Sequence, residues 1–196
     1  MLYNLYQKGN TMMNDLKRCC AFTGHRPNKF AWKYDEKDER CVALKAVLTQ
    51  QIEKLAADGV TSFYTGMALG VDTWAAMAVL ALRERNRAVK LHCILPCEGQ
   101  EIMWTVPVQV RYKYILGEAD SVEYVKRLYD GKCMLERNQR LVDSAGILVA
   151  VYNGEKRGGT AATVRYALKA ERKIIHIIPD SRKVIEWEPT PPPAHT

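Results

Sequence analysis

The sequence predicts an open, mostly parallel α/β sheet with helices on both faces, and two observations carry that prediction. Short apolar segments alternate with longer segments of helical periodicity along nearly the whole chain. Three of the apolar segments run into polar loops that carry glycine: Thr23-Gly-His-Arg-Pro27, Gly66-Met-Ala-Leu-Gly-Val-Asp72 and Tyr152 to Thr160. In sheets of this kind ligands bind beyond the carboxyl ends of the strands, so the three loops are expected to converge on one site.

The elements follow in order. Arg18–Thr23 is a short apolar strand broken by Gly24-His-Arg-Pro-Asn28, and a long polar loop runs on to Asp38. From Asp38 to Asp58, Cys41, Leu44, Leu48, Ile52 and Leu55 recur at helical spacing until Gly59 stops the helix. Thr61–Thr65 is the second strand, and the helix Thr73–Arg85 follows with Trp74, Ala75, Ala78, Val79 and Leu82 inward. Val89–Leu95 is the third strand, closed by Pro96. After a loop from Cys97 to Trp104 comes a helix over 105–119, which tolerates Pro107 in its first turn. Ser121–Val125, helix Cys133–Ser144 and the buried-type strand Gly146–Val151 lead to the glycine loop. A helix over 161–172 then has Val164, Ala167 and Leu168 on one face, and Lys173–Ile178 is the sixth strand, ended by Pro179.

With 196 residues, 47% hydrophobic and 26% charged, the chain suits one domain with a substantial core. We read 1–17 as an N-terminal extension, 18–180 as the domain and 181–196 as a flexible proline-rich tail. Neither a membrane span nor a signal peptide is read, so the expected location is cytoplasmic, away from membranes. Six cysteines form no C-x-x-C pair and read as small buried hydrophobes; no metal-ligand set is expected. The net charge of +7 suits either a nucleic-acid partner or a mildly basic surface.

Gly158 and Gly159 allow close backbone approach, and a helix opening at Thr160 offers free N–H groups and a positive dipole end to an anion. Gly24 permits a sharp turn beside His25 and Arg26, whose guanidinium can grip a phosphate or carboxylate in bidentate fashion. Gly66 and Gly70 allow close approach too, and Asp72 either caps the next helix or bonds a ribose hydroxyl. Glu101 and Trp104 are candidate base or sugar contacts, or else a solvated carboxylate and a core indole. Arg137, in Met134-Leu-Glu-Arg-Asn138, either binds phosphate or makes a surface ion pair. His92 and His176 fall inside strands and His195 in the tail, so no catalytic histidine pattern is seen.

These motifs, in this order over about residues 18–178, resemble the YpsA-like branch of the SLOG superfamily, which includes the Lonely Guy enzymes, DprA and molybdenum-cofactor carriers. The resemblance implies a Rossmann-like sheet whose strand-end loops bind a nucleotide or nucleotide-derived ligand. Lonely Guy enzymes place a glutamate where this chain has Thr163, which cannot serve as a general acid or base near neutral pH. The Met-x-x-Arg element is kept at Met134 and Arg137. The expectation is therefore a binding protein for an NAD- or ADP-ribose-like nucleotide, a sensor or regulator that forms a homo-oligomer. The alternatives are an N-glycosidic hydrolase using Glu101 or Asp72, and a DprA-like single-stranded DNA binder.

Overall fold

The computed structural model describes residues 15–189. Seven strands form one sheet in the order β4-β3-β2-β1-β5-β6-β7. β1 is Cys19–Gly24, β2 Ser62–Thr65, β3 Lys90–Leu95, β4 Ser121–Tyr124, β5 Ile147–Val151, β6 Lys173–Ile177 and β7 Val184–Trp187. All neighbours are parallel except β6 and β7. The helices are α1 (Glu39–Ala57), α2 (Val71–Arg83), α3 (Val106–Glu118), α4 (Cys133–Asp143) and α5 (Gly159–Lys169).

Handedness distributes them. Right-handed crossovers put α1, α2 and α3 on one face as the chain steps from β1 out to β4, and α4 and α5 on the other as it returns through β5 to β6. Side chains alternate accordingly. Phe22, Phe63 and Leu91 join Leu44, Leu48 and Val79 in one core cluster. Ala21, Leu148 and Ile174 join Leu141, Val142 and Val164 in the other. The direction of travel reverses between β1 and β5, and this switch point opens a crevice at their carboxyl ends.

Several details depart from the sequence reading. The segment after Asn28 is not simply polar: Phe30 and Trp32 are buried and stacked at 4.8 Å, with Trp74 of α2 at 5.5 Å from Phe30. Aromatics within a polar stretch lack the periodicity that marks core residues, so composition hid them. Leu168, expected on the buried face of α5, is exposed, because that helix buries a narrow stripe of Ala161, Val164 and Ala167. β7 lies within residues 181–196, assigned to the tail. The chain reverses at Pro179–Arg182, with Arg182 at φ +58°, and β7 pairs antiparallel on β6. Trp187 stacks on His176 at 5.4 Å, and Glu186 bonds both Lys54 and Lys173. The prolines further on masked this short strand; residues 190–196, including His195, lie outside the described residues.

Five of the six cysteines are buried and Cys19 is half-buried. No helix among the described residues is long and apolar enough to cross a membrane.

Candidate functional site

A cavity of about 320 Å³ opens at the switch point. Of the residues singled out in the sequence, Gly24, His25, Arg26, Asp72, Arg137, Gly158, Gly159 and Thr160 line it. All three glycine loops reach this place. Thr160 Oγ1 donates to the Gly24 carbonyl at 3.0 Å, tying the start of α5 to the end of β1. The α5 N-terminus is set by Gly158, whose φ of +107° an ordinary residue adopts only with backbone strain.

Gly66 and Gly70 stand behind the cavity instead of lining it, and each admits a neighbour. A Cβ on Gly66 would fall 1.4 Å from Arg137 Nη1, so the absent side chain is the guanidinium's own space. Gly70, at φ +92°, lets its loop press against the first one: a Cβ there would lie 2.8 Å from the His25 carbonyl oxygen. Glu101 and Trp104 lie outside the cavity. Trp104 packs edge-on to Tyr112 at 5.4 Å and against the core, the outcome expected of a core indole. From that loop it is Gln100 that reaches back, donating to the carbonyl of Met67 at 3.3 Å and to Tyr112 Oη at 3.2 Å.

Arg137 is the centre of the site. It rises from α4, only 5% exposed, and its Nη1 lies 3.3 Å from Asp72 Oδ2. It is thus neither the surface ion pair nor a fully solvated anion ligand. Asp72 also accepts the Ala68 amide at 3.2 Å. Burial pushes the Asp72 carboxyl up, and Arg137, the Ala68 amide and Arg26 pull it back down. Burial likewise disfavours the charge on Arg137, opposed by Asp72. Arg137 Nε is buried and has no hydrogen-bond partner. A buried donor left unpaired costs about 1–3 kcal/mol.

Met134 of the Met-x-x-Arg element lines the cavity too, as do residues given no role in the sequence reading although most lie in its quoted segments: Asn28, Lys29, Asn138, Tyr152, Glu155 and Arg157. Lys29 and Glu155 pair across the mouth at 3.4 Å. Arg157 is exposed and has no ion-pair partner among the described residues. Its place immediately before Gly158 was a legible signal, since a cation at the mouth of an anion-type loop adds to the helix dipole. Tyr152 was legible only as the residue following β5. Thr163, where Lonely Guy enzymes carry glutamate, is buried and donates to the Gly159 carbonyl at 2.9 Å.

His25 is buried between Phe30 and Tyr152, and its Nε2 accepts the Asn153 amide at 3.2 Å. Burial holds its imidazole below the ordinary 6.5. The folded state then binds this proton less readily than the unfolded chain. The stability it supports is present above about pH 6.5 and is lost as pH falls. We expect the melting temperature to fall between about pH 7 and 5, and to fall less in His25→Gln. Burial also lowers the His92 imidazole and so acts with the same sign, and the comparison is therefore made in a His92→Gln background. An unchanged slope in His25→Gln would remove His25 from the site's pH response.

A Rossmann-like α/β protein with a basic cleft at its switch point is the class that this fold and site define. Residues 20–179 match the YspA SLOG family, and the chain belongs to that family. It is 31% identical over 132 residues to a UPF0398 protein of Halalkalibacterium halodurans, spanning 66% of this chain and 70% of that protein. A UPF0398 protein of Bacillus thuringiensis strain Al Hakam is 29% identical over 156 residues, 78% of this chain and 82% of that one. Among solved structures, DNA processing protein A of Helicobacter pylori, described as binding single-stranded DNA, superposes with a TM-score of 0.56 at 18% identity. That match covers 85% of this chain and 67% of the other. DNA processing protein A of Streptococcus pneumoniae gives 0.54 at 16%, covering 84% of this chain and 52% of that one. These two likenesses concern the fold.

Proposed function

We propose that the switch-point cleft binds a nucleotide or nucleotide derivative, NAD- or ADP-ribose-like, through its phosphate, and that the chain works as a sensor or regulator. The observation that carries this reading is Arg137. A buried guanidinium, held by Asp72 at 3.3 Å, lines a cavity at the N-terminus of α5. Arg26, Lys29 and Arg157 add positive charge around the same cavity. Its volume is of the size that holds a small ligand.

Turnover has less support. The carboxylates lining the cavity are Asp72 and Glu155, and both face cations, Arg137 and Lys29. Glu101 stands outside it. Single-stranded DNA is the second reading, favoured by the fold shared with a DNA processing protein described as binding it.

A thermal-shift series with NAD, ADP-ribose, AMP, ATP, inorganic phosphate and a short DNA strand, at low and high salt, separates these readings. A nucleotide at about a hundred times its dissociation constant adds about 2.7 kcal/mol of stability. Arg157→Ala, at an exposed position, should change stability by less than about 0.5 kcal/mol. It should weaken the nucleotide about tenfold, the loss of one charge-assisted contact. Stabilisation by DNA alone, vanishing at high salt, would move the reading to DNA. No shift with any of these would end the binding proposal.

A further inference from the structure

The segment that brings Glu155 and Arg157 to the cleft is fixed at its ends and loosely held between them. At one end the Tyr152 amide donates to the Ile177 carbonyl at 3.2 Å, and the Asn153 amide to His25 Nε2 at 3.2 Å. At the other, the Gly158 carbonyl accepts the Ala162 amide at 3.0 Å as α5 begins. From Asn153 to Gly159 every residue is exposed. Among the described residues, no backbone–backbone hydrogen bond reaches Gly154, Glu155, Lys156 or Arg157. Gly154, at φ +79°, and Gly158 bracket the three charged residues, and a Cβ at either glycine would meet nothing within 4 Å. They supply backbone freedom and not room, which is what a hinge at each end requires.

Two side-chain contacts hold the segment down. Arg165 of α5 donates through Nη1 to the Lys156 carbonyl at 2.7 Å. Lys29, in the turn after β1, pairs with Glu155 at 3.4 Å, both side chains about half exposed.

We propose, resting on the reading of the cleft as a phosphate site, that residues 154–158 are a hinged strap and that Glu155 is an internal competitor. Its carboxylate sits on Lys29 where an anionic ligand would place a phosphate oxygen. Lys29 and Glu155 both line the cavity, so an anion that reaches Lys29 meets a like charge beside it. Binding there exchanges one ion pair for another. Lys29 passes from carboxylate to phosphate, and the strap turns about its two glycines to carry Glu155 into water. The exchange is easy because an exposed ion pair is weak. Arg165 touches no ligand in this scheme; it is a positioning residue that sets the closed place of the strap.

Limited trypsin digestion of the full chain without ligand tests the strap, since Lys156 and Arg157 are two cleavage sites within it. Lys29→Ala and Arg165→Ala each release one hold and leave the sequence around the cut unchanged. Each should speed cleavage after Lys156 or Arg157 about two- to fivefold, the weight of an exposed ion pair. The melting temperature should not move, because both positions are exposed. Lys169→Ala, which removes a cation from the far end of α5, should be cleaved like wild type. Wild-type rates in both strap variants overturn the strap. Calorimetry with inorganic pyrophosphate and ADP-ribose tests the competitor. Glu155→Gln should tighten binding about two- to fivefold, and should give no gain in a Lys29→Ala background, where no seat is contested. A gain that persists without Lys29 overturns the competition. If neither probe binds, the phosphate reading fails and the competitor with it, while the digestion rates still decide the strap.

Discussion

Arg137→Ala should destabilise the protein by about 3–5 kcal/mol, read as a lowered urea midpoint at neutral pH. The size of the effect comes from what is left behind. Asp72 is 5% exposed, and without the guanidinium its carboxylate keeps the Ala68 amide as its one close hydrogen-bond donor. Adding Asp72→Asn to the alanine variant should recover part of the loss. Replacing both members of the pair, Arg137→Met with Asp72→Leu, should restore stability to within about 1 kcal/mol of wild type or better, as apolar replacements of buried pairs often do. The same double variant should bind no nucleotide. Such a result would place the worth of the pair in recognition and not in folding. A single alanine variant as stable as wild type would mean that the pair is neither as buried nor as tight as its 3.3 Å contact indicates.

Gly66→Ala should cost about 3 kcal/mol by the same mechanism, although it adds only a methyl group. The new Cβ would stand 1.4 Å from Nη1, 2.4 Å from Cζ and 2.9 Å from Cδ of Arg137. The guanidinium must leave its seat, and leaving separates it from Asp72. Binding and stability should therefore fall together, measured by thermal unfolding with and without nucleotide. Gly117→Ala is the contrast. There the Cβ meets open space, and helix propensity favours alanine by up to about 1 kcal/mol. If Gly66→Ala unfolds like wild type, the arginine has a second seat and the glycine's role as its pocket is refuted.

Much of this architecture was readable in the residues alone. Six of the seven strands follow from short apolar runs, and the convergence of the three glycine loops follows from the loops after β1, β2 and β5. Local pattern carries such information because strand alternation, helix spacing and turn chemistry act over a few residues. What escaped depends on contacts between distant positions. Arg137 is 65 residues from Asp72, and no local rule distinguishes a buried partner from a surface one. Gly66 looked like a turn residue, and only the path of α4 makes it a vacancy for a side chain. Phe30 and Trp32 lay hidden in a polar stretch. Trp104 had two readings until Tyr112 packed against it. β7 needed β6 beside it, and four residues next to prolines do not declare a strand.

The buried Arg137–Asp72 pair lining the cleft has a bearing on how long each molecule would survive. A ligand that binds the native cleft and not the unfolded chain moves the fold away from its unfolding threshold. Proteases that cut opened chains sample that difference, since cleavage follows the population of the open form. If the proposed ligand fills the site, pulse-chase turnover should slow when it is plentiful and quicken when it is scarce. The concentration of a small molecule would then be recorded as the abundance of a protein, with no catalytic step and no rearrangement of the sheet.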